Sequence, residues 1–119
     1  MVKKTLNGIA DAKWQLANHL SKEEWDEALR QFPDYNFYQS YAYGEFNKQM
    51  GWETIRLIAK EDSGKICGLF QAQLRRLPLK AGIIISTGGP LGDYNLWLDL
   101  FSKAIKKILN LTLLFARIF

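Results

Sequence analysis

The run GIIISTGGPLGDYNLWLDLFSKAIKKILNLTLLFARIF, residues 82–119, decides the fold. Gly82 to Thr87 is a β-branched stretch suited to a central strand, and Gly88-Gly89-Pro90 breaks it. Leu96, Trp97, Leu100, Phe101, Ala104, Ile105 and Ile108 then fall at helical spacing on one face, with Asp99, Ser102, Lys103, Lys106 and Lys107 on the wet side. Leu111 to Phe119 returns to strand chemistry. A strand, a helix of this length and a second strand require a right-handed crossover, so Leu111 to Phe119 is expected beside Gly82 to Thr87 in parallel.

Upstream the patterns are shorter. Thr54 to Lys60 places Ile55, Leu57 and Ala59 on one side, Glu61-Asp-Ser-Gly-Lys65 supplies turn chemistry, and Ile66 to Leu77 continues the alternation through Gly68, Phe70, Ala72 and Leu74. These two stretches predict an antiparallel hairpin. A helix is expected from Ser40 to Met50, with Tyr41, Phe46 and Met50 on one side and Gly51 as a left-handed cap. Before it, Ser21 and Glu24 have the spacing of a capping box for a helix from Lys22 to Gln31, whose apolar face is Trp25, Ala28, Leu29 and Phe32 and which Pro33 closes. Trp14 to Leu20 reads as a first strand. The order is β-α-α-β-β-β-α-β, an α+β chain around a mixed sheet.

At 119 residues and 48% hydrophobic content, the chain suits one core. It stops inside its last strand with no covering element, and a bare apolar edge is an aggregation hazard. Residues 1–119 are therefore expected to form one partial domain, truncated after the fifth strand, or a unit that needs a partner to cover that edge. The lone Cys67 excludes an internal disulfide framework and CxxC zinc or redox sites, and the lone His19 excludes a His-rich metal site. No signal peptide is visible, and Leu111 to Phe119 is far short of the ~20 residues needed to cross a bilayer, so the expected compartment is the cytoplasm. The net charge of +4 is a mild bias toward anionic partners. Its densest groups, Lys103/Lys106/Lys107 and Arg75/Arg76/Lys80, read as a solvated helix face and a strand end.

Three segments resemble the Fem-type aminoacyltransferases that build peptidoglycan interpeptide bridges. Phe37-Tyr38-Gln39-Ser40-Tyr41-Ala42-Tyr43-Gly44-Glu45-Phe46 with Gly51-Trp52-Glu53 is similar to their "QSxxWGxFK…GW" opening. Gly64 to Gly68 continuing into Leu74-Arg75-Arg76-Leu77-Pro78 resembles their central hairpin, and Gly88-Gly89-Pro90-Leu91-Gly92-Asp93 their "(R/K)GPVxD" turn. The resemblance implies the first half of an acyltransferase fold of the GNAT type. It also implies transfer of an aminoacyl group from aminoacyl-tRNA, as co-substrate, to a muropeptide precursor, nucleotide- or lipid-linked, with no metal or redox cofactor and no DNA partner. The usual GNAT coenzyme A loop, "(Q/R)xxGx(G/A)", is missing. The alternatives are a non-catalytic GNAT-like interaction module and a fragment of an acyl-CoA-dependent N-acyltransferase.

No residue pair makes a convincing catalytic acid and base, so the candidate residues are substrate contacts: Gln39, Asn47, Lys48 and Asp93. They are expected to converge in a cleft between the second helix and the Gly88 to Asp93 turn. Where the family can place a phosphate-binding lysine in the second helix, this chain has Asn47 with Lys48 beside it. Asp93 reads equally as an N-terminal helix cap, and Gln39 and Ser40 as a helix start. Eight of the sixteen aromatics lie between Phe32 and Trp52, a cluster read as core rather than as a base-stacking platform.

Overall fold

The computed structural model describes residues 13–119. β1 (Lys13–Leu16) leads into α1 (Lys22–Arg30), a 3₁₀ turn (Phe37–Gln39) and α2 (Tyr41–Gln49). β2 (Glu53–Lys60), β3 (Ile66–Leu77), β4 (Ala81–Ser86) and the two-residue β5 (Leu91–Gly92) follow. A helical rod then runs as α3 (Tyr94–Asp99), a π turn (Leu100–Ala104) and α4 (Ile105–Leu109), and β6 (Leu113–Ile118) ends the fold. The sheet order is β1-β2-β3-β4-β6, with β5 on β3. Every pairing is antiparallel except β4 with β6, which is parallel from Ala81↔Leu113 to Ser86↔Ile118. This is the mixed α+β architecture, and the crossover is the one the 82–119 run demands.

The expected hairpin is present with Ile55↔Ala72, Leu57↔Phe70 and Ala59↔Gly68 in register. That face packs against Leu96, Leu100, Ile105 and Leu109 of the helical rod in the main core. Phe101 adds an edge-on contact to Phe70 at 5.5 Å between ring centroids. The capping box also forms: Ser21 Oγ accepts from Glu24 N–H and the Glu24 carboxylate accepts from Ser21 N–H. The Ser21 N–H on the carboxylate, with the Ser21 hydroxyl beside it, holds the Glu24 carboxyl below its ordinary range. α1 lays Trp25, Ala28 and Leu29 against Ile58 and Leu69 on the other face, so the sheet is covered on both sides.

Several expectations are corrected. β1 ends at Leu16 rather than Leu20, because Ala17 makes the last backbone bond to Arg56 and the Asn18 side chain then takes over, donating to Thr54 O and accepting from Arg56 N–H. α2 does not bury Phe46 and Met50, which are exposed; it approaches the sheet through its smallest residue, Gly44. The aromatic cluster is only partly core, since Tyr35, Phe37, Tyr38 and Phe46 are exposed. The helix after Asp93 starts at Tyr94 and contains a π turn. Just before that turn the Leu96 carbonyl accepts both helical N–H and the Trp14 indole N–H, a side-chain intrusion of the kind that loosens the helical ladder.

Candidate functional site

Strand alternation puts Thr54, Arg56 and Ile58 opposite Gln73, Gln71 and Leu69 on the α1/α2 face. An arginine there must be paired, because an isolated buried charge is costly. Arg56, 3% exposed, donates from Nε to Gln71 Oε1 at 2.8 Å and from Nη2 to Tyr41 O at 3.1 Å and Glu45 Oε2 at 3.2 Å. Its guanidinium also lies 4.0 Å from the Tyr41 ring centroid. A Cβ at position 44 would sit 2.5 Å from both Arg56 Nη2 and Gln71 Oε1, so glycine is required there for the helix to come this close. Over this cluster opens a polar cavity of about 260 Å³, walled by Arg56, Glu45, Lys48, Asn18 and Thr54.

Gln39 is fully buried and its amide is committed internally. Oε1 accepts from Gln71 N–H at 2.8 Å, and Nε2 donates to Gln71 O, Ser86 Oγ and Thr87 O. β4 leaves β3 at Ile85↔Gln73 and β5 joins it at Leu91↔Leu69, so Gln71 lies between the two partners. The Gln39 side chain fills that gap as a peptide group of a neighbouring strand would. Asn47 donates back to Tyr43 O within α2. Lys48 is exposed, lines the cavity and faces Glu45 at 3.9 Å. Asp93 caps α3, accepting from Asn95 N–H at 2.8 Å.

The four residues therefore do not share one cleft. Lys48 stands near Thr54, opposite Gln73, whereas Asp93 follows Gly92, opposite Gly68; the separation along β3 is about 16 Å. α3 packs on the opposite face as well. What does meet the Gly88 turn is the segment before α2, through Asn36 to Gly88 O and Gln39 to Thr87 O. The cavity's main members, Arg56, Glu45 and Asn18, were not candidates from the sequence. The available signal was a charged residue inside the apolar strand Thr54 to Lys60 together with a glycine inside a helix. Cys67 is half-buried, and burial, with Glu61 nearby, pushes its thiol pKa up and away from nucleophile chemistry. Among the described residues no group of three His, Cys, Asp or Glu side chains gathers as a metal site.

A scan against protein-family models finds no match, and neither does a search of the curated proteins. Among solved structures the chain is similar to the crystal structure of FemX, with a TM-score of 0.62 and 21% identity over 82% of this chain. The match takes up 24% of the FemX chain, so this sequence spans about a quarter of that protein and carries the fold of that part.

Proposed function

We propose that this chain is the first, GNAT-like part of a Fem-type aminoacyltransferase that works in the cytoplasm, moving an aminoacyl group from aminoacyl-tRNA to the peptide of a peptidoglycan precursor. The observation that carries the reading is the fold likeness to FemX across most of the chain. The sequence resemblance in the segments around Gln39, Gly51 and Gly88 supports it. In the reaction the ammonium first loses a proton to solvent, and the neutral amine attacks the ester carbonyl to form the C–N bond. The tetrahedral intermediate then collapses with cleavage of the ester C–O bond, the amine's second proton going to the departing tRNA ribose oxygen. Such a step depends on positioning and on donors for the developing oxyanion.

This chain's part is acceptor binding. Lys48, at the rim of the polar cavity, meets the precursor's phosphates, and Arg56 holds Glu45 and the α2 backbone in place beneath it. Gln39 and Asn47 hold the framework. Asp93 contributes at the start of α3, where its carboxylate suits an amide or amine rather than a phosphate. The remainder of the fold packs along β6, whose Leu113 and Phe115 are exposed. The test is a titration of the chain with a nucleotide-linked muropeptide while amide shifts are followed. Shifts at Glu45, Lys48 and Thr54 that disappear in Lys48→Ala support the reading. Shifts confined to the Glu61 to Lys65 end, or none, overturn it. The isolated chain is expected to show no aminoacyl transfer.

A further inference from the structure

We propose that one end of this molecule docks on an anionic phospholipid surface, with Leu79 and Met50 entering the headgroup layer. Three loops build that end. The β3–β4 turn carries Pro78, Leu79 and Lys80; Lys80 O accepts from Thr112 N–H at 2.8 Å, which joins the α4–β6 loop to it. The α2–β2 loop joins from the other side, with the Arg75 guanidinium 4.2 Å from the Trp52 ring centroid. Arg76 Nη1 donates to Leu109 O and closes the same end behind them.

Leu79 is 94% exposed and has φ 63, and Lys80 follows at φ 56. Left-handed backbone favours Gly, Asn or Asp, so a leucine here is neither a good turn former nor a core residue. Met50 and Leu77 are also exposed at this end. Beside these apolar tips stand Arg75 and Lys80, and Lys106 and Lys107 lie in the last turn of α4, just before the loop that bonds Lys80 O. None of the four has an acidic partner among the described residues, and Glu53, at the start of β2, is held by Arg76. The β2–β3 turn at the opposite end instead mixes Glu61 and Asp62 with Lys60 and Lys65. Aliphatic tips ringed by cations match an interface with anionic lipid. A nucleic-acid surface would expose stacking rings, whereas Trp52 is half-buried with Arg75 over it.

The test is sedimentation of the 119-residue chain with phosphatidylglycerol-containing vesicles and with pure phosphatidylcholine vesicles. Binding is expected to the first only, and to be lost as salt shortens the Debye length. Leu79→Asn removes the apolar tip at a backbone angle asparagine accepts, so thermal stability should hold or rise while vesicle affinity falls on the order of tenfold. Arg75→Gln and Lys80→Asn should each cost roughly fivefold, and Lys65→Gln, at the other end, nothing. Equal binding to both vesicle types, or binding to neither, overturns the proposal. So does an unchanged affinity in Leu79→Asn, and with it tRNA binding of the same charge dependence assigns the end to RNA. A concentration-dependent dimer that Leu79→Asn abolishes assigns the tip to a second copy and likewise overturns it.

Discussion

The two faces of the β2–β3 hairpin are built from opposite materials. One is Ile55, Leu57, Ala59, Phe70, Ala72 and Leu74 under the helical rod, held by area removed from water. The other, between α2 and the sheet, is Thr54, Arg56 and Gln71, buried yet polar: Thr54 donates to Gly44 O, Arg56 to Gln71, Tyr41 O and Glu45, and the Gln71 N–H to the Gln39 amide. An apolar face accepts any side chains of suitable volume, whereas a polar one demands that each donor and acceptor be answered. The first therefore specifies a fold loosely, and the second fixes the position of α2 and the cavity beside it.

The largest expected effect tests the apolar face. Leu100→Ala, at a fully buried position in the π turn, should lower stability by about 3–5 kcal/mol in denaturant unfolding. A loss near 1 kcal/mol would mean that the rod is loosely docked. Next, Gln39→Ala strands Gln71 N–H and Thr87 O, while Gln71 O keeps the Ser86 hydroxyl, and should cost about 2–4 kcal/mol. Gln39→Glu should rescue little of it, since an ionised carboxylate offers no donor. If Gln39→Ala were nearly neutral, water would be replacing the amide and the contrast between the faces would fail. Asp93→Ala should remove about 1 kcal/mol, the usual loss for a helix cap, while Asp93→Asn keeps the cap and the melting temperature.

The smallest effect is a pH dependence at α1. The folded Glu24 pKa is lowered, so its contribution is present above the ordinary glutamate pKa of 4.5 and is lost as pH falls through the folded value. The Ser21 amide shift should titrate below pH 4.5 in the wild type and stay flat in Glu24→Gln.

Much of the apolar half was legible in the chain because its signals are local. Alternation through Ile55, Leu57 and Ala59, the Ser21 and Glu24 spacing, and the strand-helix-strand run from Gly82 each act within a few turns of chain. The polar half was not. Arg56 reads as an ordinary charged residue until Gln71 is set opposite it and α2 is laid over both. β5 is two residues long and exists only because Gly68 and Leu69 offer an edge. The site candidates followed the same divide: Asp93 could be read as a cap from its neighbours, whereas the commitment of Gln39 to Gln71, 32 residues away, depends on tertiary placement alone. Exposed Phe46 and Met50 misled the helix-face reading because glycine, which carries no hydrophobic weight, is the residue α2 turns inward.

The Gln39 bridge has a consequence for how the molecule breathes. Backbone amides in the middle of a long strand ordinarily exchange with solvent deuterium only when strands separate. The Gln71 N–H is held by a side chain instead, and that side chain belongs to a 3₁₀ turn which can lift without any strand moving. Its exchange rate should accordingly follow the excursions of residues 36–40 and run faster than that of its neighbours Phe70 and Ala72, making one amide a clock for the opening of the segment that leads into α2.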